Sequence, residues 1–171
     1  VHHAALRAKL DSDDVWTIDI LFLLNAFGVH ADYFTSSWGC ALDHATKPFY
    51  ASSHPKDFER VRCLFELAKA EGMSVRTATF SAKELWDTLR HDDHMLLALV
   101  DLRYLYTDDH EVVGHFHGHY ILLVGIDHEL NCYLLRDPAR KDGQTVHVSA
   151  DRVERARLSD GTDQDLIMIS L

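Results

Sequence analysis

The segment GHYILLVGID, residues 118–127, carries apolar side chains on both of the faces that an extended chain presents. Ile121 and Leu123 fall on one face, and Leu122 and Val124 fall on the other, because successive side chains of a strand alternate. A strand that is apolar on both faces is normally covered on both sides. The segment therefore predicts a central, buried strand of a sheet.

A turn-prone stretch, DHELN at 127–131, follows this strand and sends the chain back through CYLLR toward Asp137. If the turn is centred near His128, His119 and Asp137 stand nine residues to either side of it, at the open end of a hairpin. Directly opposed residues have Cβ atoms about 4.5–5.5 Å apart. A turn displaced by one residue would move the partner of His119 by two. The sequence therefore predicts that His119 lies opposite, or nearly opposite, Asp137.

An imidazole held by a carboxylate forms the general base and its orienting group in a nucleophilic triad. Asp137 would select the tautomer of His119 and stabilise its charged form, and Pro138 would keep Asp137 at the rim of the sheet. The alternative is a His–Asp hydrogen bond with a purely structural role. His119 and Asp137 are the candidate catalytic residues.

A zinc site is another interpretation of the same region. His115, His117 and His119 would share one face if the strand were continuous, and three imidazoles can bind zinc. Gly114 and Gly118 interrupt the strand, however, and 13 histidines in the chain make some clustering expected by chance. We predict no metal site and expect His115 and His117 to be solvated loop residues.

The chain offers three cysteines as possible nucleophiles. Cys40 precedes His119 and Asp137 in the order found in papain-like enzymes, but CALDHATKPFY is a poor helix opening, and such a thiol needs a helix N-terminus to lower its pKa. We expect Cys40 to be a loop thiol. Cys63, within an amphipathic helix, and Cys132, within a strand, are expected to be core residues.

The sequence contains no P-loop and no glycine-rich turn between a strand and a helix. A two-metal nucleotide cyclase needs paired carboxylates to hold its metal ions. Asp101 and Asp127 both follow buried strands and could nominally serve, but turn formation is the interpretation we adopt for both.

Hydrophobic periodicity and turn residues predict a single domain, 1–171, of the α+β class with a largely antiparallel sheet packed by helices. Helices are predicted at 2–10, 15–28, 54–72, 82–92 and 150–158, and strands at 29–36, 74–80, 94–101, 119–126, 131–137, 144–149 and 164–171.

The net charge of −10 argues against a nucleic-acid partner, and no apolar run is long enough for a membrane span. Three cysteines without metal-type spacing suggest reduced thiols and a cytoplasmic location.

Five segments, in one order, resemble the family of guanylyl cyclase domain-containing proteins found in animals, plants and algae. The segments are WTIDILFLLNAFGV (16–29), FY (49–50), GHYILLVGID (118–127), RDPA (136–139) and ERARLSDGTDQDLIMI (154–169). The pattern ARxSxGTDxDL, here at 156–166, is the most distinctive.

The resemblance implies a papain-like fold related to the bacteriocin-processing cysteine peptidases. Its Gly-His-Tyr motif matches Gly118, His119 and Tyr120, so His119 is the implied catalytic base and its two neighbours are candidate substrate-binding residues. Its Asp-Pro-Ala motif matches the segment that begins at Asp137. The cysteine motif of the family, Asp-Cys-Gly, lies upstream of the segment at Trp16, where this sequence has none. The sequence is therefore expected to be a fragment that lacks the nucleophile-bearing helix.

The family name implies conversion of GTP to cyclic GMP, with Mg²⁺ or Mn²⁺ required only in that case and no cofactor otherwise evident. Three hypotheses follow. The full-length protein is a guanylyl cyclase acting on GTP, a thiol hydrolase acting on a peptide or protein, or a non-catalytic interaction protein that retains the fold.

Overall fold

The computed structural model describes residues 15–39, 55–107 and 114–171. The predicted helix at 2–10 lies outside these residues, as does Cys40. The helices are α1 (Thr17–Ala26), α2 (Pro55–Ala70), α3 (Ala82–Thr88), α4 (Leu102–Leu105) and α5 (Ala150–Arg157). The strands are β1 (Ala31–Thr35), β2 (Ser74–Thr77), β3 (His94–Asp101), β4 (Gly118–Asp127), β5 (Cys132–Arg136), β6 (Thr145–Ser149) and β7 (Leu166–Ser170).

The seven strands form one sheet in the order β2-β1-β7-β3-β4-β5-β6. Only β1 and β2 run parallel, and the remaining neighbours are antiparallel. The predicted α+β class with a mainly antiparallel sheet is therefore confirmed. The strand β4 lies between β3 and β5, in the interior of the sheet, as its two apolar faces predicted.

Helices cover both faces of the sheet. On one face, α1 and α2 pack through Ile18, Leu21, Val61 and Phe65 against strand residues such as Ile167. We call this the α1–α2 face.

The opposite face, which we call the α3–α5 face, is covered by α3, α4 and α5 through residues such as Leu85, Leu105 and Val153. Ile121 and Leu123 of β4 point into this second core. Leu122 packs against the α1–α2 core, as strand alternation requires.

The beginning of helix α3 is set by residues that are neighbours in sequence. Ser81 is its N-cap and accepts a hydrogen bond from the backbone nitrogen of Glu84, whose carboxylate in turn accepts one from the Ser81 backbone nitrogen. This reciprocal capping box satisfies two backbone donors that the first helical turn leaves without partners.

Three predictions about local structure are wrong. A loop is predicted between the strands at 94–101 and 119–126, but the structure has a helix there, α4, whose four residues are too few to show a periodic pattern. Cys63 is exposed rather than buried, because it lies two residues, about 200° around the helix, from the buried Val61 and Phe65. Cys132 is half-buried at the start of β5 and is not a core residue.

Within the described ranges, no helix is both long and apolar enough to cross a membrane.

Candidate functional site

His119 and Asp137 meet where the neighbouring strands β4 and β5 begin and end, respectively. His119 is the second residue of β4, and Asp137 follows the last residue of β5. The Nε2 atom of His119 lies 2.7 Å from Oδ1 of Asp137, which is hydrogen-bonding distance. The predicted proximity of these two side chains is therefore confirmed.

The strand register that produces this contact differs from the one predicted. The β4–β5 ladder pairs Leu122 with Arg136 and Asp127 with Cys132, and it shifts at a bulge between Leu123 and Gly125. The turn is thus centred nearer residue 129 than His128. The direct cross-strand pairing of His119 with Asp137 was wrong by about one residue in the turn position. The contact forms because Asp137 lies just beyond the ladder.

Asp137 accepts hydrogen bonds from three donors. Its Oδ1 atom accepts from His119 and, at 2.8 Å, from the backbone nitrogen of Ala139, and its Oδ2 atom accepts from the hydroxyl of Tyr106 at 2.7 Å. Burial by itself would raise the pKa of this carboxyl. The hydrogen bonds from Tyr106, Ala139 and His119 outweigh burial, so the pKa of Asp137 lies below its ordinary value. Asp137 is therefore an ionised carboxylate near neutral pH, although it is only 6% exposed.

The hydrogen bond to Asp137 engages only one nitrogen of the His119 ring. Because Nε2 faces a carboxylate that is an acceptor, Nε2 carries the proton in the neutral imidazole. In the described part of the chain, Nδ1 makes no hydrogen bond, and 18% of the His119 side chain is exposed. The arrangement can accept a proton on Nδ1 and stabilise the resulting imidazolium by the adjacent carboxylate.

Gly118 and Tyr120, the two candidate substrate-binding residues, lie on either side of His119 along β4. Their positions face the α1–α2 side of the sheet, whereas His119 faces the other side, because neighbouring residues alternate. Phe116 packs closely on Gly118, and a Cβ atom at that position would lie 3.0 Å from Cε1 of Phe116. Tyr120 hydrogen-bonds through its hydroxyl to Oγ1 of Thr17 at 3.1 Å.

Gly118 and Tyr120 line a cavity of about 230 Å³ between the sheet and α1, together with Asp165, a residue that sequence reasoning did not select. Asp165 is 8% exposed and immediately precedes β7. Its Oδ2 atom accepts a hydrogen bond of 2.5 Å from Thr17, and its Oδ1 atom is buried without a hydrogen-bond partner. Burial raises the pKa of Asp165 to about 7, against the opposing effect of nearby hydroxyls, Thr17 foremost.

Asp165 belongs to the distinctive ARxSxGTDxDL segment, whose other members have structural roles. Ser159 donates to the buried carboxylate of Asp101, and Thr162 donates to the backbone oxygen of Arg157. Gly161 has a φ of +102° and lies against the ring of Phe116, so a side chain there would be both strained and crowded. The segment connects α5 to β7 and lines the cavity near Asp165.

The three histidines of the zinc interpretation do not share one strand face. His115 and His117 precede β4 and are exposed, as expected of loop residues. The described ranges contain no group of three or more histidine, cysteine or acidic side chains placed to hold a metal ion.

Asp101 and Asp127 are too far apart to hold a common metal pair. Asp101 pairs with Gly118 at one end of β4, and Asp127 lies nine residues further along that strand, a separation of about 30 Å. Asp127 forms the predicted turn, since its Oδ1 accepts from the backbone nitrogens of Glu129 and Leu130. Asp101 caps α4 and is paired with Arg103.

Neither cysteine in the described residues is placed to act with His119. Cys132 pairs with Asp127, eight residues along β4 from His119, which is a distance of about 26 Å. Cys63 lies on the exposed side of α2, and α2 covers the sheet face opposite to that of His119. A thiol partner for His119 would therefore have to come from elsewhere.

Comparison with known proteins agrees with the resemblance found in the sequence. A family model described as guanylylate cyclase matches residues 3–169. The chain is also similar to guanylyl cyclase 1 of Arabidopsis thaliana, with 30% identity over an alignment that covers 94% of this chain and 61% of the plant protein. It thus spans about three-fifths of the length of that relative. Since the family model covers nearly the whole sequence, the chain belongs to the guanylylate cyclase family.

Proposed function

We propose that the full-length protein is a thiol hydrolase on a papain-like scaffold, in which His119 is the general base and Asp137 orients it. The observation that supports this most directly is the hydrogen bond of 2.7 Å between Nε2 of His119 and Asp137, which leaves Nδ1 available for a second partner. An imidazole held in one tautomer by an ionised carboxylate is the arrangement that activates a nucleophilic thiol.

The nucleophile in this proposal is a cysteine of the full-length protein upstream of Trp16, in the Asp-Cys-Gly segment that the resemblance implies. Nδ1 of His119 removes the thiol proton, and the thiolate attacks a carbonyl carbon of a peptide or protein substrate. The C–N bond breaks, the amine leaves with the proton from His119, and a thioester remains. Water then loses a proton to His119 and attacks the thioester, releasing the acid and the thiol.

Alkylation of the full-length protein by iodoacetamide tests this proposal without knowledge of the substrate. A cysteine paired with His119 would be a thiolate at pH 6, because a neighbouring imidazolium lowers the pKa of a thiol from about 8.5. His119→Ala is expected to slow alkylation of that cysteine at pH 6 by on the order of 100-fold. Peptide-level mass spectrometry separates it from the exposed Cys63.

His117→Ala is the matched control, since it also removes a histidine near β4 but one that is exposed and outside the strand. It should leave the alkylation rate unchanged. Equal rates for wild-type protein and His119→Ala, with circular dichroism showing both folded, would exclude the thiol hydrolase.

Conversion of GTP to cyclic GMP is the second candidate, supported by family membership and by the name of the plant relative. It requires a site for the triphosphate and its Mg²⁺ or Mn²⁺, which the described residues do not supply as a cluster. Incubation of the full-length protein with GTP and either metal, followed by mass spectrometry for cyclic GMP, tests it directly. Metal-dependent product that persists in His119→Ala would favour the cyclase over the hydrolase.

The third hypothesis is an interaction protein that keeps the fold without catalysis. It would be favoured if the full-length protein showed neither an acid-reactive cysteine nor cyclic GMP production.

A further inference from the structure

The segment 102–117, described at 102–107 and 114–117, leaves the sheet where β3 ends and returns where β4 begins. Its two ends are joined by hydrogen bonds. The backbone nitrogen of Leu102 donates to the backbone oxygen of His117 at 2.9 Å, and the guanidinium of Arg103 donates to the backbone oxygen of Gly114. Both ends of the segment are therefore fixed beside the first residues of β4.

Asp101 is the fully buried residue that anchors this closure. Its carboxylate accepts hydrogen bonds from the guanidinium and backbone nitrogen of Arg103, from the backbone nitrogen of His117 and, at 2.9 Å, from the hydroxyl of Ser159. Burial by itself would raise the pKa of Asp101, but the hydrogen bonds from Arg103 and Ser159 lower it below its ordinary value. Asp101 is therefore an ionised and fully paired N-cap of α4.

Tyr106 is the C-cap of α4, and the chain is held on both sides of it. Leu105 is fully buried in the core of the α3–α5 face, and the backbone oxygen of Thr107 accepts a hydrogen bond of 3.4 Å from Arg155 of α5. The Tyr106 residue is itself 44% exposed, yet its hydroxyl donates to Oδ2 of Asp137. The position of this hydroxyl therefore follows from the anchoring of α4 rather than from burial of the ring.

Tyr106 contacts the oxygen of Asp137 that does not face His119. Oδ1 accepts from His119 and from the backbone nitrogen of Ala139, whereas Oδ2 accepts from Tyr106. The terminal torsion of an aspartate has a broad energy minimum, so a carboxylate held through one oxygen can rotate. The donor on Oδ2 restricts that rotation and keeps Oδ1 on Nε2 of His119.

We propose that Tyr106 is a positioning residue of the His119–Asp137 pair, and that Asp101 and Ser159 hold the short helix that presents it. This role rests on the proposed hydrolase, because Tyr106 secures the orientation of the base in that reaction. It also connects the ARxSxGTDxDL segment, through Ser159, to the candidate catalytic residues.

Solvent exchange of the Nε2 proton of His119 tests this role without a nucleophile or a substrate. The proton is observed by ¹H–¹⁵N NMR of the full-length protein at pH 7, and it exchanges when its hydrogen bond to Asp137 opens. Tyr106→Phe should accelerate exchange by about fivefold or more, because the carboxylate loses one hydrogen bond. Tyr104→Phe is the matched control and should leave the rate unchanged, since its hydroxyl makes no hydrogen bond in the described part of the chain.

Ser159→Ala tests the more distant part of the proposal. It removes one donor to Asp101 and leaves the ion pair with Arg103 intact, so the protein should fold. Exchange should accelerate by about threefold. Ser149→Ala is the matched control, because Ser149 is also half-buried, lies at the other end of α5 and makes no side-chain capping hydrogen bond. In the double variant, Ser159→Ala should add nothing to Tyr106→Phe, since Ser159 acts through Tyr106.

The proposal is overturned if Tyr106→Phe and Tyr104→Phe give equal exchange rates, or if the effects of Ser159→Ala and Tyr106→Phe are additive. A wild-type proton that exchanges too fast to be observed would also contradict it, because the pair would then not be held. Alkylation of the His119→Ala variant decides the hydrolase, whereas proton exchange in Tyr106→Phe decides the role of Tyr106. Failure of either proposal is thus seen in a different measurement.

Discussion

Asp137 and Asp165 are two buried carboxyls, 6% and 8% exposed, whose pKa values move in opposite directions. Burial raises the pKa of both. At Asp137 both oxygens accept hydrogen bonds, from three donors in all, and these outweigh burial. At Asp165 the hydroxyls of Thr17, Thr35 and Tyr33 lower the pKa, but burial outweighs them. The comparison shows that the balance between hydrogen-bond donors and depth of burial decides the charge of a carboxyl with little exposed surface.

Asp165 and Asp137 are expected to change protein stability with pH in opposite directions. The larger expected effect is the pH dependence of the free energy of unfolding that is due to Asp165. Its pKa is about 7 in the folded protein and about 3.9 in an unfolded chain. Between those values the folded state holds a proton that the unfolded state has lost. The free energy of unfolding therefore falls as pH rises through this window, by up to about 4 kcal/mol.

Asp165→Asn removes this titration, so the variant should gain stability relative to the wild type between pH 4.5 and pH 8. The groups around Asp165 are Thr17, Tyr33, Thr35, Tyr120 and Asp163. The measurement is urea unfolding of the full-length protein at the two pH values. A difference between variant and wild type that is independent of pH would show that Asp165 is ionised throughout.

Asp137→Asn should show the opposite pH dependence. The lowered pKa of Asp137 contributes stability above the unfolded pKa of about 3.9, and this contribution is lost as pH falls through the folded pKa. At pH 7 the substitution is expected to reduce the free energy of unfolding by about 1–3 kcal/mol, because ionic hydrogen bonds are lost. Urea unfolding at pH 7 and pH 3.5 measures it.

The same variant should slow alkylation of the cysteine paired with His119, but less than His119→Ala does, since the imidazole remains without its orienting carboxylate. A cost to stability that does not diminish in acid would contradict the assigned charge of Asp137.

The smallest expected effect concerns the third donor to Asp137. Tyr106→Phe removes the hydroxyl that donates to Oδ2 and should reduce the free energy of unfolding by about 1 kcal/mol at pH 7. Tyr104→Phe is the control, since Tyr104 lies two residues away and its hydroxyl makes no hydrogen bond within the described ranges. Equal effects of the two substitutions on urea unfolding would show that the Tyr106 hydroxyl contributes nothing specific to Asp137.

Much of the fold follows from local patterns that the sequence carries. Apolar residues on both faces of the segment at 118–127 predicted β4 as an interior strand, and hydrophobic periodicity predicted an amphipathic helix at α2, where Val61, Phe65 and Ala68 are buried. The approximate meeting of His119 with Asp137 also followed, because a hairpin joins residues that are near in sequence.

Local sequence patterns do not predict strand register or contacts between residues that are distant in sequence. The bulge between Leu123 and Gly125 shifted the pairing of β4 with β5, and nothing in that apolar stretch marks it. Tyr106 reaches Asp137 from a loop 31 residues earlier, with no periodic pattern to indicate the contact.

The amino-acid sequence by itself determined most of the segments that are helices and strands in the described ranges, with α4 the exception, and which histidine stands at the start of the central strand. Only the tertiary structure decided the pKa of Asp165. Its donor, Thr17, is 148 residues away in sequence and reaches it because α1 packs against the sheet beside β7. Hydrogen bonding and burial depend on neighbours in space, and for a carboxyl at the junction of distant elements those neighbours exist only once the chain has folded.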